Sequence, residues 1–468
     1  MDCDVLIIGS GPGGYRAAVL AALRGQKTVI VEKGVWGGCC LNRGCVPKKD
    51  WYHSARLLAA ASNFAGRGLT LAGPLTGDLS GAWRHQRDVV ATVRDSYRQY
   101  LKRLGVVAVS GHATFTGPHS VMLTPGGERI DARSVVIATG SEPAVPEGVT
   151  LVSGKILHTD MLFEEPLPAG RRVAIVGGGV AALEMAYILG RFGCEVRWIA
   201  RRDPFARKDF SVPALTLLRK SLAEAGLEPH LASLARLAPA GEGVRLTTQA
   251  GETLEADWAL LATGRKPVTA GLGLDAIGVA CDERGFVTVD ETLATTVPGV
   301  FALGDCTPGP MTANRALFEA GVVIDNIMHG VGRTRDSAWV PEVIYSAVEL
   351  ARVGLTEEQA EDADREPAVG FAAFETSPRA LGQDETEGYV RLVVDLDSAE
   401  LLGGEVVGGE AGELIHMMAA APRANALRDL ARRAYNHPSR TEEFQNAVET
   451  LIAKWKLADR VFADDNSA

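Results

Sequence analysis

Two cysteines separated by four residues are the strongest sign of chemistry in this sequence. Cys40 and Cys45 enclose a segment that ends in Gly44, and Lys48 and Lys49 follow shortly after. Four intervening residues with a glycine allow the two sulfur atoms to come within disulfide distance, and the dipole of a helix starting here would favour a thiolate. The alternative, two buried free thiols, leaves the glycine and the lysines unexplained. The spacing therefore predicts a redox-active pair.

An internal repeat predicts the elements that hold this pair. Residues 5–33 and 173–201 match in register with an offset of 168. Each copy has the pattern of a buried strand, a glycine turn, a helix rich in alanine and leucine, and a second strand. Small residues stand where the backbone approaches a pyrophosphate, namely Gly9, Gly11 and Gly14 in the first copy and Gly177, Gly179 and Ala182 in the second. A glycine turn in a plain doubly wound sheet is the alternative, and two copies in register argue against it.

The two copies differ at the position that would meet a ribose. Glu32 closes the second strand of the first copy, where a carboxylate accepts hydrogen bonds from a ribose diol. Ala200 occupies this place in the second copy, and Arg201 and Arg207 follow it. Guanidinium groups suit a 2′-phosphate because they carry a fixed fork of donors and a permanent charge. We expect NADPH at the second site, with NADH beside a solvated basic loop as the alternative.

Composition narrows the class of protein. A chain of 468 residues exceeds a single hydrophobic core, so we expect two to four domains. The net charge of −10, without a block rich in lysine or arginine, argues against nucleic acid and anionic membrane surfaces as partners. No apolar run reaches the roughly 18 residues of a membrane span. The seven cysteines do not resemble a secreted disulfide framework. We expect a cytoplasmic enzyme without a metal site.

The segment from Gly37 to Lys49 resembles the GGTCLNxGCxPxK signature of the class I flavoprotein disulfide reductases, or pyridine nucleotide-disulfide oxidoreductases. Dihydrolipoyl dehydrogenase, glutathione reductase and mercuric reductase are members. The resemblance implies one non-covalent FAD per subunit, with Cys40 as the thiol that exchanges with substrate and Cys45 as the thiol in contact with the flavin. Cys39 departs from the signature, where a threonine is usual.

The resemblance extends to further cofactor contacts. It implies an ion pair near the flavin between Glu184 and either Lys48 or Lys49, a choice that the sequence leaves open. It also implies two turns of the Ala-Thr-Gly type, a ribityl contact, residues beside the flavin ring and an adenosine contact. These positions are Thr139 and Gly140, Gly264, Asp305, Met311 and Ala313, and Ala113, respectively.

A histidine near the C-terminus completes the resemblance. Residues 435–442 are similar to the HPTxxE element of the family, in which the histidine reaches the cysteine pair of a partner subunit. His437 would then be the general acid and base for the exchanging thiol, and Glu442 would orient its ring. Without the cysteine motif, a histidine before a proline would more often mark a surface turn. The resemblance implies a homodimer.

We therefore predict an α/β fold with two doubly wound nucleotide-binding domains and an α+β dimerisation domain at the C-terminus. Residues 1–148 and 269–337 would form the FAD-binding domain. Residues 149–268 would form the NAD(P)H-binding domain inserted into it, and residues 338–468 the dimerisation domain.

The motifs that bear on the substrate point in two directions. Tyr15 and Asn42, with the residues before them, resemble dihydrolipoyl dehydrogenase, whereas Lys49 and the arginines Arg201 and Arg207 resemble glutathione reductase. We favour dihydrolipoamide or lipoamide, carried on a partner protein or free, with a glutathione-type disulfide as the alternative. Two other classes stay open, an NADPH quinone reductase or transhydrogenase with incidental cysteines and a non-catalytic subunit that docks on a lipoyl complex.

Overall fold

The N-terminal part of the chain builds most of one sheet and four helices. The computed structural model describes residues 1–330 and 332–462. In chain order the first elements are β1 (Asp2–Ile8), α1 (Pro12–Leu23), β2 (Thr28–Glu32), α2 (Gly38–Arg43), α3 (Cys45–Ala60), α4 (Leu79–Arg103), β3 (Val107–Ser110), β4 (His112–Gly117), β5 (Ser120–Thr124), β6 (Arg129–Ile137) and β7 (Ser141–Pro143). The redox cysteines therefore lie on α2 and at the first residue of α3.

The middle part contains the second copy of the repeat. Its elements are β8 (Ile156–His158), α5 (Thr159–Glu164), β9 (Arg172–Val176), α6 (Val180–Arg191), β10 (Glu195–Ala200), α7 (Val212–Glu224), β11 (His230–Leu231), β12 (Leu234–Ala240), β13 (Gly243–Thr248), β14 (Thr253–Ala256), β15 (Trp258–Leu261), β16 (Arg265–Pro267) and α8 (Leu274–Ile277). Helix α6 spans the residues of α1 shifted by 168, so the sequence repeat is also a structural repeat.

The C-terminal part first returns to the first sheet and then builds another. Its elements are β17 (Val300–Ala302), α9 (Ala313–His329), β18 (Glu342–Tyr345), β19 (Glu349–Gly354), α10 (Glu357–Asp362), β20 (Pro367–Ala373), α11 (Pro378–Gln383), β21 (Tyr389–Asp395), β22 (Leu401–Val407), α12 (Ala411–Leu414), α13 (His416–Ala419), α14 (Ala426–Arg432), α15 (Glu442–Trp455) and α16 (Ala458–Phe462).

Two parallel sheets carry the two copies of the repeat. The first has the order β3-β2-β1-β6-β5-β4, with β17 also beside β6, and it is parallel except at β4 and β5. The second has the order β11-β10-β9-β15-β8 and is parallel throughout. In each sheet the glycine turn follows the carboxyl end of a central strand, β1 or β9. Ligands of doubly wound folds bind at this edge.

Two smaller sheets complete the middle of the chain. β12, β13 and β14 form an antiparallel three-stranded sheet. β7 pairs antiparallel with β16, so the chain leaves the first sheet and returns towards it along one two-stranded ribbon. The two Ala-Thr-Gly turns lie at opposite ends of this ribbon, because the N–H of Val268 donates to the carbonyl oxygen of Gly140 and the N–H of Ala144 donates to that of Gly264.

The last sheet is antiparallel, in the order β18-β19-β22-β21-β20. Helix α15 packs on it through Phe444, Ala447 and Val448, which are fully buried with the strands. Helix α3 joins this sheet to the second nucleotide unit, since Trp51 and Tyr52 share one apolar core with residues of α6 and β18. The predicted combination of two parallel nucleotide units with an α+β C-terminal part is confirmed.

Candidate active site

A large cavity lies where the carboxyl ends of the two parallel sheets face each other. Its volume of about 1620 Å³ exceeds the roughly 300–1,000 Å³ of a typical small-ligand site, so it has room for more than one cofactor. Most of the residues predicted from the sequence line it: Gly9, Gly11, Glu32, Cys40, Cys45, Lys48, Lys49, Ala113, Thr139, Gly140, Gly177, Gly179, Glu184, Arg201, Arg207, Gly264, Asp305, Met311 and Ala313. The fold thus brings together residues more than 270 positions apart in the chain.

The first glycine of each turn is required by the backbone. Gly9 has a φ of +105°, and a Cβ there would lie 2.3 Å from the carbonyl oxygen of Ala138. Gly177 has a φ of +148°, and its Cβ would lie 2.2 Å from the carbonyl oxygen of Ala262. Gly14 is equally constrained, because its Cβ would lie 1.9 Å from the oxygen of Gly9. These three glycines let strand, turn and helix pack closely in both units.

The middle glycines have a different role. A Cβ on Gly179 would meet no atom within 4 Å, and one on Gly11 would only touch Gly38 at 4.0 Å. Both residues line the cavity, so the absence of a side chain leaves room for a ligand. Packing within the protein does not require it. Ala182 lies behind the second turn and is fully buried in the core, as the small third residue of the motif requires.

Glu32 is held in place by the turn that it faces. Its Oε2 accepts hydrogen bonds from the backbone N–H of Ser10 at 2.9 Å and from Ser10 Oγ at 2.7 Å. Its Oε1 accepts from the N–H of Gly34 at 2.8 Å. Ser10 Oγ in turn accepts from the N–H of Gly37, directly before the cysteine helix α2. Sequence reasoning missed Ser10, although its place inside the glycine motif was a usable signal.

The two redox cysteines are reduced, and Cys40 hydrogen-bonds to Cys45. The hydrogen bond from Cys40 lowers the pKa of Cys45 to about 7 against the opposing effect of burial, and Lys48 and Lys49 lower it further. The same hydrogen bond and burial hold the pKa of Cys40 well above its usual value. Cys45 is therefore the thiolate of the pair near neutral pH, and Cys40 keeps its proton until a base removes it.

The ion pair that the sequence left open uses both lysines. Lys48 Nζ contacts Glu184 Oε2, and Lys49 Nζ lies 3.2 Å from Glu184 Oε1. Burial opposes the charged form of Glu184, but the two lysines outweigh it and keep the pKa of the carboxyl below its usual value. The backbone N–H of Tyr345 donates to the same Oε1 at 2.9 Å, and Lys49 Nζ lies 3.4 Å above the ring of this tyrosine.

A polar network beside the cysteines was not predicted. Arg265, which follows the second Ala-Thr-Gly turn, donates to Asp160 Oδ1 at 2.9 Å and to Ser141 Oγ at 2.7 Å. Ser141 Oγ donates to Asp305 Oδ2 at 2.6 Å. Cys39 Sγ lies 3.8 Å from Asp160 Oδ1, and burial raises the pKa of this thiol to about 12. Cys39 is therefore a protonated neighbour of the redox pair.

The arginines of the second unit are not equivalent. Both Arg201 and Arg207 line the cavity. Arg207 donates from Nε to Asp209 Oδ1 at 2.9 Å, and its Nη2 contacts the other oxygen of the same carboxylate. Arg201 is exposed, as is Arg202 next to it, which also lines the cavity. The charge of Arg207 is thus already matched by Asp209, and Arg201 with Arg202 presents the available cationic groups.

His437 and Glu442 form a pair at a distance from this cavity. His437 Nδ1 lies 2.9 Å from Glu442 Oε1, and the other carboxylate oxygen accepts from the N–H of Ser439 at 2.7 Å. These two hydrogen bonds keep the pKa of Glu442 below its usual value. The His437 side chain is 73% exposed and does not line the cavity of its own chain. Within one chain, the structure does not bring His437 to the cysteines.

Comparison with known proteins matches this architecture over most of the chain. Residues 3–320 match the family described as pyridine nucleotide-disulphide oxidoreductase, and residues 340–448 match its dimerisation domain. The chain belongs to this family. It is 34% identical to the mitochondrial dihydrolipoyl dehydrogenase of Pisum sativum, over 96% of this chain and 92% of that protein. It is 36% identical to dihydrolipoyl dehydrogenase 3 of Pseudomonas aeruginosa, over 95% and 97%.

Solved structures agree with the family assignment. The HOCl-induced flavoprotein disulfide reductase RclA of Escherichia coli superposes with a TM-score of 0.83 at 25% identity, over 96% of this chain and 99% of that one. LpdA of Mycobacterium tuberculosis shares the fold with a TM-score of 0.87 at 24% identity, over 95% and 99%. The predicted membership of the pyridine nucleotide-disulfide oxidoreductases and the enzyme class, a flavoprotein disulfide oxidoreductase, are confirmed.

The residues of the first unit fit FAD, the cofactor of this pyridine nucleotide-disulfide oxidoreductase family. Glu32 presents an oriented carboxylate where an adenosine ribose would bind, and Gly11 leaves the approach open. Thr139 lines the cavity, and its buried Oγ1 has no hydrogen-bond partner within residues 1–330 and 332–462. A polar atom without a partner next to a cavity is expected where a ligand supplies the partner.

The dimerisation domain of the family covers the C-terminal sheet, so a homodimer is the supported assembly. None of the helices in the part of the chain that the structure describes has the length and apolarity that crossing a membrane requires.

Proposed function

We propose that the enzyme moves two electrons between a nicotinamide cofactor and a small disulfide through the Cys40–Cys45 pair. The observation that carries the proposal is the position of this pair, a thiolate beside a thiol, in the cavity that both glycine turns also line. When bound, FAD supplies the two-electron carrier between nicotinamide and dithiol. A cytoplasmic location suits this dithiol, because that compartment keeps thiols reduced.

The proposed exchange with the substrate has two steps. A base takes the proton of Cys40, and the resulting thiolate attacks a sulfur of the substrate disulfide. A bond forms between Cys40 and that sulfur, the substrate S–S bond breaks, and the leaving thiolate receives a proton. The Cys45 thiolate then attacks the Cys40 sulfur, the bond between Cys40 and the substrate breaks, and the Cys40–Cys45 disulfide closes; the second substrate sulfur leaves as a thiolate, which takes a proton from solvent. The family resemblance assigns the base to the partner subunit's His437, oriented by Glu442.

The cofactor preference is proposed from the second unit. Glu32 is the last residue of β2, whereas the neutral Ala200 is the last residue of β10, and Arg201 and Arg202 follow it at the cavity. Since Asp209 already matches Arg207, we assign the 2′-phosphate contact mainly to Arg201 and to its neighbour Arg202. NADPH is therefore the preferred cofactor in this proposal, and NADH is the weaker one.

Dihydrolipoamide, or lipoamide in the reverse direction, is the proposed substrate. The relatives that share 34% and 36% of their residues with this chain are named dihydrolipoyl dehydrogenases. The lipoyl group can be free or carried on a partner protein.

A second candidate, a glutathione-type disulfide with carboxylates, is favoured by helix α4. This helix carries six basic and two acidic residues in a chain of net charge −10. Arg94 Nη1 donates to Asn42 Oδ1 at 3.3 Å, on the same helix α2 as Cys40. Tyr97 stacks on Tyr15 with ring centroids 4.2 Å apart, and burial raises its pKa. A basic helix beside the exchanging thiol would attract an anionic disulfide.

Steady-state turnover with matched substrates separates these proposals. Lipoamide and lipoate differ by one carboxylate, so their ratio of kcat/KM, measured at low and high salt, tests for an anionic substrate. Oxidised glutathione, a quinone, and dihydrolipoamide with NAD⁺ or NADP⁺ complete the set. Cys40→Ser should abolish disulfide turnover. If that variant reduces disulfides as well as the wild type, or if the wild type reduces only quinones, the proposed function is wrong.

A further inference from the structure

One face of helix α3 leads away from the redox centre. Cys45, Lys49, Tyr52 and Arg56 follow each other at intervals of four, three and four residues, the spacing of one helix face. Tyr52 is buried, and its hydroxyl donates to Glu349 Oε1 at 3.2 Å. Arg56 Nη1 donates to the same oxygen at 3.3 Å. The helix that begins with the redox thiolate thus carries, one turn before its end, a half-buried guanidinium group that pairs with the C-terminal sheet.

Glu385 joins this helix to the segment that carries His437. Its Oε1 accepts from Arg56 Nη2 at 2.8 Å, and its Oε2 accepts from Arg440 Nη2 at 2.6 Å. One carboxylate therefore bridges two guanidinium groups from distant parts of the chain. Arg440 lies three residues after His437 and two before Glu442.

The groups around Arg440 provide partners for most of the donors of a guanidinium group. Its side chain is 1% exposed, and Nη1 donates to the carbonyl oxygen of Gly409 at 2.7 Å, while Nε donates to Gln383 Oε1 at 3.1 Å. The guanidinium carbon lies 5.1 Å from the ring centre of Phe374. A Cβ on Gly409 would lie 2.2 Å from Glu385 Oε2 and 2.7 Å from Arg440 Nη1. Burying a charged group costs free energy unless hydrogen-bond and ion-pair partners of this kind are present.

Arg440 is also the one residue of 435–442 that is buried. The other residues of this segment are at least partly exposed, and His437 and Pro438 are among the exposed ones. The imidazole of His437 contacts Glu442, so the position of both depends on the backbone between them. Arg440 fixes that backbone to Glu385, and through Arg56 to α3.

We propose that Arg440 and Glu385 are positioning residues for the His437–Glu442 pair. They hold the pair at a set place relative to α3, so that the histidine of one subunit meets the cysteines of the other with the geometry that proton transfer needs. This inference rests on the proposed function of His437. It assigns no contact between Arg440 and substrate.

The test compares two activities of the purified, FAD-loaded dimer. Disulfide reduction requires His437 in the proposed function, whereas ferricyanide reduction by NADPH does not. Arg440→Leu should lower disulfide turnover at least about tenfold, since small displacements of a reacting group are costly, and leave ferricyanide turnover unchanged. Glu385→Gln should act in the same direction, and Arg440→Lys should restore part of the loss. Arg391→Leu is the matched control, because Arg391 on β21 pairs with Glu357 on α10, away from residues 435–442, and its loss should change neither activity.

His437→Gln distinguishes a failure of the proposed function from a failure of the positioning role. If this variant keeps disulfide turnover, the proposed role of His437 is wrong, whatever Arg440 does. If it loses disulfide turnover while Arg440→Leu and Glu385→Gln keep the wild-type rate, the positioning role is overturned and the proposed function stands. An equal loss of both activities in Arg440→Leu and Glu385→Gln also overturns it, since that is the result of a general structural defect.

Discussion

Lys48, in the first turn of α3, forms an ion pair with Glu184 in the middle of α6. The contact joins the helix of the redox cysteines to the helix of the second nucleotide unit. Lys49 approaches the other oxygen of the same carboxylate, at 3.2 Å. The Glu184 side chain is only 2% exposed, so this carboxylate is buried between two partly exposed lysines, and all three charges act on Cys45. A change at this ion pair should therefore affect both the stability of the fold and the surroundings of Cys45.

We expect Glu184→Gln to destabilise the enzyme by about 3 kcal/mol, because it removes a buried carboxylate and leaves the partly buried Lys48 and Lys49 without their counter-ion. Chemical denaturation of the FAD-loaded dimer measures the change. Glu252→Gln is the control, since Glu252 pairs with His230 at the surface, where both side chains are at least half exposed. Equal stability of the two variants would contradict the burial argument.

The low pKa of Cys45 should depend on the donor at position 40. With a pKa of about 7, Cys45 is about half thiolate at pH 7, and the fraction rises with pH. Cys40→Ala removes the hydrogen bond that lowers this pKa, so the thiolate fraction at pH 7 should fall. Cys40→Ser keeps a donor and should stay closer to the wild type. The ultraviolet absorbance of the thiolate, titrated against Cys45→Ser as the blank, measures it, and identical curves for Cys40→Ala and Cys40→Ser would refute the assigned cause.

NADPH binding should depend more on Arg201 than on Arg207. Arg201→Ala is expected to weaken NADPH by about 1–3 kcal/mol, the contribution of a charge-assisted contact, and to spare NADH. Arg207→Ala should have the smaller effect, because its guanidinium is already paired with Asp209. Arg236→Ala, at an exposed position on β12, is the control. Binding titrations with NADPH and NADH measure these effects. If Arg201→Ala binds NADPH as tightly as the wild type, the assignment of Arg201 to the 2′-phosphate is wrong.

Two substitutions in the second glycine turn should separate an effect on NADPH binding from an effect on folding. Gly179→Ala adds a methyl group to open space in the cavity, so we expect a normal melting temperature and full FAD content but an increased KM for NADPH. Gly177→Ala places its Cβ against the carbonyl oxygen of Ala262 at a strained φ, so the folded yield or melting temperature should fall. Thermal unfolding and steady-state kinetics measure the two effects. A Gly179→Ala enzyme with unchanged KM would show that no phosphate passes this residue.

Local patterns in the sequence were sufficient for the fold class and for much of the cavity. The two copies of the repeat predicted both nucleotide units, because strand, glycine turn and helix are encoded within about thirty consecutive residues. The cysteine spacing predicted the redox pair for the same reason. The domain boundaries after residues 148 and 268, and the roles of the individual site residues, stay predictions.

Only the tertiary structure decided which distant groups meet. The sequence alone could not choose between Lys48 and Lys49, because adjacent residues at the start of a helix point in directions that depend on what packs against it, and here α6 brings one carboxylate to both. It could not show that Asp209 matches Arg207, or that Glu385 joins Arg56 to Arg440. Ion pairs of this kind leave no periodic pattern along the chain, since they depend on distances between elements and not on spacing within one.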